Sequence, residues 1–399
     1  MGFRITTNMM MNTYRYNLQN STKRLSDARD TVLTGRRFSS YAEDPAAATL
    51  AFRLRRSYLQ TTSYLDNTKD VYSKFNTAWH NLGGLINDLC EPAKQASIRG
   101  VTGSAGESRR ALAVDLREIA QSVVQAMNQK LGDQFIFNGN DALNAPFSWE
   151  DGKLLYRGVN VNAGSVKKPS GPAPDWAKTD IDGNLIDVDK IDPAKVQQSG
   201  QEWIDYYNDQ VDLKKLKEMA GEEMYIDLGM GAAESSPNSP IKGTYFNSAL
   251  SGIDFLGYGV DEDGDPLNLA LIMKELADVF DTWDEDTQSY NHELAKDTAA
   301  GLSDKELEEK AFRLLDKLKA AQEHTTERWV NLDASSDYLQ SNQSLLETQQ
   351  TDLNIRILEL EQVDLAEAIT SFSWEQYCYN AALKIGSQLL SQTLIDYMS

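Results

Sequence analysis

Histidines come first in a search for chemistry, because an imidazole can carry a proton near neutral pH or ligate a metal. His80, His292 and His324 stand far apart. None belongs to a His-x-x-x-His pair, and each falls on the flank of an expected helix, as a surface or satisfied residue. Cys90 and Cys378 make neither a metal-type pair nor a disulfide framework, so each reads as a small buried hydrophobe. Thr102-Gly103-Ser104-Ala105-Gly106 lacks the first glycine of a nucleophile elbow. There is no Gly-x-x-x-x-Gly-Lys phosphate loop and no dinucleotide fingerprint. Two acidic runs, Asp180-Ile181-Asp182-Gly183-Asn184 and Asp261-Glu262-Asp263-Gly264-Asp265, look like calcium loops. Both put glycine in the fourth place, and residue twelve is Ile191 or Ile272 with no carboxylate. They read as turns. The expectation is a non-enzyme, with no catalytic residue, no metal site and no cofactor.

Composition narrows the class. A chain of 399 residues suggests two or three domains. With 41% hydrophobic residues and a mean hydropathy of −0.49 it can bury cores and stay soluble. No run reaches membrane-spanning length, and the N-terminus lacks the apolar region of a cleaved signal. The net charge of −21 is unevenly placed. Residues 1–60 hold 10 Lys/Arg against 4 Asp/Glu, whereas residues 175–310 hold 11 against 32. That acidic middle argues against nucleic acid as a partner.

The elements that would position function are helices. Met11, Leu18, Leu25 and Val32 recur every seven residues, with Tyr14, Ser21, Ala28 and Gly35 beside them. Gly35 suits a left-handed helix end. Asp44 and Pro45 suit the N-cap and first position of the next helix, so 35–44 reads as a joint. The stripe resumes as Leu54, Thr61, Thr68, Phe75, Leu82 and Leu89, the signature of one long helix with one packed seam. A glycine-containing break follows, and Ser104 with Glu107 forms a capping box for another helix. Near the other end Ser303 and Glu306 form a second box. From Ala311 the sevens run Leu318, Thr325, Leu332, Leu339, Leu346, Leu353 and Leu360. Their companions Ser335, Asn342, Gln349 and Arg356 are too polar for a self-contained pair, so this stripe must press on the N-terminal ones.

Between these arms the texture changes. Residues 135–139 read as a short strand and turn, and Phe147 to Asn162 as a hairpin turning at Asp151-Gly152. One amphipathic helix is expected at about 193–219. The fold expected is mainly α: a long antiparallel helical-bundle or coiled-coil rod built from both termini, with an inserted strand-rich α+β head. The division expected is 1–45 with 356–399 as terminal assembly helices, 46–135 with 266–355 as rod, and 136–265 as head.

The outermost stripes are expected to serve other molecules. Burying a leucine contributes about 1.5–3 kcal/mol, while ordering each residue costs about 1–2 kcal/mol. A lone terminal pair therefore barely breaks even, and neighbouring copies would tip the balance. The expected assembly interface is Met11, Leu18, Leu25, Val32, Leu353, Leu360, Leu383, Leu390 and Leu394, with Gly35, Asp44 and Pro45 as the joint.

Three segments make the chain resemble the flagellin superfamily. They are RITTNMMMNTYRYNLQNSTKRLSDARDTVLTGRRFSSYAEDPAAA, SRRALAVDLREIAQSVVQAMNQKLGDQFIFNGND, and ILELEQVDLAEAITSF with the run to the C-terminus. Glu43-Asp44-Pro45-Ala46-Ala47, in place of the Asp-Asp-Ala-Ala-Gly of filament subunits, leans toward the superfamily's hook–filament junction branch. The acidic run 281–301 looks like an insertion. The resemblance implies a structural axial protein of the bacterial flagellum, outside the cell and exported without a cleaved signal. It implies assembly into a ring with its own copies, and contact with the preceding hook-associated protein and with flagellin. An export chaperone on the C-terminal helix is implied, and no membrane insertion. A filament subunit, a grafted head enzyme and a phage-tail or secretion scaffold are the alternatives.

Overall fold

The computed structural model describes residues 7–38, 42–102, 108–172, 174–177, 191–197, 199–236, 239–241, 243–284, 286–287, 289–292 and 301–398. The fold is mainly α. In chain order its elements are α1 (Thr7–Thr34), α2 (Pro45–Gly84), a π-helical turn (Leu85–Cys90), α3 (Glu91–Thr102) and α4 (Arg109–Met127). Then come β1 (Lys130–Leu131), β2 (Gln134–Phe135), β3 (Phe147–Glu150), β4 (Lys153–Tyr156), β5 (Val159–Asn160), α5 (Pro193–Val196) and α6 (Gln201–Ala220). After these run β6 (Tyr225–Ile226), β7 (Glu234–Ser236), β8 (Ser239–Pro240), β9 (Phe246–Asn247), α7 (Gly252–Leu256) and α8 (Leu269–Asp281). The chain closes with β10 (Trp283–Asp284), β11 (Ser289–Tyr290), α9 (Asp304–Glu361) and α10 (Leu365–Met398). It divides into two compact units, Met1–Leu65 with Ser344–Ser399, and Asp66–Gln343.

The second unit holds the main core. α4 packs along α8, whose residues are buried almost throughout. Asn268 caps α8, its Oδ1 accepting from the amides of Ala270 and Leu271 at 3.0 and 3.3 Å. Phe75, Leu82, Leu116, Phe280, Leu318, Leu332 and Leu339 share one apolar cluster, so this part of the α9 leucine stripe is covered as its spacing required. Among the polar companions, Ser335 bonds back to the Asn331 carbonyl at 3.0 Å. Asn342 is buried and donates to Thr68 Oγ1 and to the Leu228 carbonyl, each at 3.2 Å.

One expectation fails at the end of α2. The sevens point to Leu89, but the π turn inserts an extra residue and moves the buried face on by one. Cys90 is buried in its place, followed by Ala93 and Ser97. The register shift lets Gly100 face Phe280 so closely that an added Cβ would collide with the ring.

The expected hairpin is present. β3 and β4 pair antiparallel from Phe147↔Tyr156 to Glu150↔Lys153. Asp151 and Gly152 both hold positive φ, 48° and 77°, as a two-residue hairpin turn of this twist requires. β5 extends the sheet through Tyr156↔Val159. The remaining sheets are two-stranded pairs. The helix expected at 193–219 is divided into α5 and α6, and Trp203 and Tyr206 of α6 form a separate small core with Trp176. The expected insertion contains the β10–β11 pair, where Arg109 sits 3.9 Å over the Trp283 ring. The Ser104–Glu107 box and the Asp180–Asn184 run lie outside the described residues. α4 is capped instead by Ser108, whose side chain accepts from the Ala111 amide at 3.4 Å.

Candidate assembly face and its joint

α1 ends at Thr34 because Gly35 takes a left-handed φ of 66°, its amide still donating to the Thr31 carbonyl at 2.9 Å. α2 starts at Pro45 with Asp44 as cap. The Asp44 carboxylate accepts from the Ala47 amide at 3.0 Å, and its carbonyl from Ala48 at 2.9 Å. Gly35, Asp44 and Pro45 therefore hold the local roles their types suggested.

The joint has a second half, formed by the break between α9 and α10. α9 stops at Glu361 and α10 begins at Leu365, where the Asp364 side chain accepts from the Ala366 amide at 2.8 Å. The two breaks lie side by side. Arg36 and Gln362 form an antiparallel bridge, the Arg37 amide donates to the Glu361 carbonyl at 2.7 Å, and the Val363 amide donates to the Gly35 carbonyl at 3.1 Å. The Arg55 guanidinium pairs with the Glu361 carboxylate. One signal was available: an aspartate directly before an apolar helical run, at Asp364-Leu365-Ala366.

Beyond the joint, α1 packs on α10. Met11, Leu18, Leu25 and Val32 are half-buried, as are Tyr14, Ser21 and Ala28, while most residues around them are exposed. The stripe is therefore the covered side of α1. Gly386 of α10 is buried, and a Cβ there would collide with the Tyr14 phenol. The C-terminal half of the expected interface divides differently. Leu353 and Leu360 are half-buried, and the residue that is fully buried between them is Ile357. A strict seven-residue count drifts about 20° per heptad on a straight helix, which is enough to hand the seam from one residue to its neighbour. Leu383 is 42% exposed. The side chains of Leu390 and Leu394 lie outside the described residues.

Much apolar surface stays uncovered on these two helices. Met9, Tyr16 and Leu33 of α1 are exposed, and so are Leu365, Ile369, Trp374, Tyr377 and Ile385 of α10; Leu33 and Tyr377 reach 73% and 67%. Trp374 and Tyr377 stack on each other, ring centroids 6.0 Å apart, and exposed apolar patches on soluble proteins mark contact sites.

The remaining sequence candidates are placed as follows. His80 and His292 are exposed, His292 bonded to Asp304 at 2.8 Å, and His324 is half-buried. Cys90 is buried as expected, but Cys378 is only half-buried, because α10 has few covering neighbours. Asp261, Asp263 and Asp265 do converge within 4.8 Å of one another. The charges facing them come from α9: Arg313 Nε stands 2.6 Å and Lys317 Nζ 2.5 Å from Asp265 Oδ2, and Lys317 also pairs with Asp261. Burial opposes ionisation of Asp265, and the hydrogen bonds from Arg313 and Lys317 outweigh it, so its carboxyl titrates below the usual range. The turn amides of Asp263 and Asp265 occupy Asp261 Oδ1, each at 3.0 Å.

Residues 5–146 match the model of the bacterial flagellin N-terminal helical region, a span that runs from α1 through β2. No protein of curated function matches the chain. Among solved structures, a Vibrio parahaemolyticus protein described as flagellar hook-associated superposes with a TM-score of 0.48 at 11% identity, covering 80% of this chain and 100% of that one. Bacillus cereus FlgL superposes with a TM-score of 0.38 at 13% identity, covering 77% of this chain and 99% of that one.

Proposed function

We propose that this chain is a structural axial protein of the bacterial flagellum, working outside the cell at the junction between hook and filament, with no catalysis. The observation that carries the reading is the α1–α10 pair. A two-bond bridge and the Arg55–Glu361 ion pair tie together the two breaks at its base, and the pair leaves Trp374, Tyr377, Leu33 and Tyr16 open. Neighbouring copies arranged around an axis would cover those residues and supply the burial that the pair lacks by itself. The flagellin-type match over 5–146 supports the same class.

In this reading 1–45 and 356–399 form the assembly helices, 46–135 and 266–355 the rod, and 136–265 an outward head. The partners are other copies of the chain in a ring, the preceding hook-associated protein, flagellin, and an export chaperone on α10. Export proceeds without a cleaved signal. Pro45 after Asp44 favours the junction over a filament subunit, the second reading, because the resemblance gives filament subunits Asp-Asp-Ala-Ala-Gly there.

Deleting the gene tests both. Cells with hooks but no filaments, and with intact flagellin in the medium, are expected. Absence of flagellin everywhere would make this chain the filament subunit, and normal filaments would refute both readings.

A further inference from the structure

Lys74 lies on α2 in a cleft of about 440 Å³ between that helix, the β1–β2 turn and the β6–β9 pair. Its Nζ donates to the Ser248 carbonyl at 2.9 Å. Ser248 is itself held, its hydroxyl and amide both donating to the Met224 carbonyl, at 3.1 and 2.8 Å. Val71, Phe135, Ile136, Met224 and Ile226 make the walls mainly apolar, with Ser73 and Gln134 as polar members. Two charged groups stand near. Asp70, one turn before Lys74, lines the cleft without reaching ion-pair distance, and Lys130 lies 4.4 Å over the outer Phe135 ring. An amine fixed by one carbonyl, facing an apolar space and lacking a carboxylate partner among the described residues, is arranged as a nucleophile.

We propose that Lys74 is a covalent carbonyl-binding site, taking a short aldehyde or ketone with an apolar body as an imine. The nitrogen lone pair attacks the carbonyl carbon, forming the C–N bond as the carbonyl oxygen takes a proton. Loss of one water, with its hydrogens drawn from the amine, then gives the C=N bond. The Ser248 carbonyl orients the amine, and the walls receive the apolar body. Burial pulls the Lys74 ammonium down to about 8, so the neutral form that attacks is abundant near neutral pH.

The test is reductive labelling of the full, folded chain with 3-methylbutanal and cyanoborohydride at pH 7.5, each lysine followed by peptide mass spectrometry. At that pH the neutral fraction of Lys74 is about 200-fold that of a solvated lysine. The weaker nucleophilicity of a weaker base offsets part of this, leaving an expected advantage of about tenfold over Lys305. The Lys74 rate should level off above about pH 8 while that of Lys305 keeps rising, and 8 M urea should erase the difference. Lys74→Arg should remove the fast site and leave the other rates unchanged. Equal rates at Lys74 and Lys305, an unlabelled Lys74, or an advantage that survives urea would each overturn the proposal.

Discussion

Gly35→Ala is the smallest substitution that should loosen the joint. Gly35 holds a φ of 66°, and nothing lies within 4 Å of a Cβ built there. The cost is therefore purely that of a left-handed L-residue, about 1–2 kcal/mol. Val363→Pro attacks the same place from the other segment of the joint. It deletes the 3.1 Å bond to the Gly35 carbonyl, worth about 1 kcal/mol because that carbonyl can turn to water. Its bias of Gln362 toward extended geometry adds little, since Gln362 already pairs as a bridge with Arg36. Arg55 is half-exposed, so its pair with Glu361 adds at most about 1 kcal/mol and does not compensate. Hydrogen exchange reads the outcome. A loss of 1–2 kcal/mol should lower protection of the α1 and α10 amides about 5–30-fold, with α4 and α8 unchanged. Gly132→Ala is the control, because Gly132 has a φ of 61° and equally open surroundings in the other unit. It should leave α1 and α10 as they are. If Gly35→Ala leaves protection of α1 and α10 intact, or loosens α4 and α8 as much, the joint does not hold the terminal pair.

Leu360→Asp, at a half-buried position, should abolish incorporation into the flagellum while far-ultraviolet circular dichroism keeps its helical signal; wild-type incorporation would remove Leu360 from the assembly face. Asp265→Asn should lower stability by about 2 kcal/mol at pH 6, less than the ~3–5 kcal/mol of a fully buried pair, because Arg313 is 39% exposed and Lys317 keeps Asp261. The Asp265 carboxyl titrates lower when folded than when unfolded, so its stabilisation is complete above the ordinary carboxylate range and is lost as pH falls through the folded value. Denaturant melts between pH 6 and pH 3 should therefore show a shallower acid loss in the variant than in the parent chain. Burial, with the neighbouring Glu91 charge, pushes the Cys90 thiol up to about 12. A thiol reagent at pH 8 should accordingly titrate one cysteine, Cys378, in the native chain and two in denaturant.

The features legible in the sequence are those that a few adjacent residues decide. Gly35 can turn left-handed, Asp44-Pro45 can start a helix, and Asp151-Gly152 can close a tight hairpin, whatever surrounds them. The seven-residue stripes likewise state that long helices exist and which side of each is apolar. Tertiary structure decided the rest, because each remaining question concerns a partner distant in the chain. The π turn that replaces Leu89 by Cys90 in the core answers to the packing of α3 against α4 and α8. Ile357 is buried ahead of Leu353 and Leu360 because the seam drifts along a straight helix, and how far it has drifted at a given turn is not fixed by the count of sevens. The sequence reads as a turn at Asp261–Asp265, but it does not say that α9 brings Arg313 and Lys317 to it across about fifty residues. The joint is the clearest case. Gly35 marks one break in the chain and Asp364 another, but only folding sets them level so that Gly35 and Val363 share a hydrogen bond. Local backbone preference fixes where a helix stops, whereas the pairing of two such stops depends on a contact across more than three hundred residues, which no short window of sequence encodes.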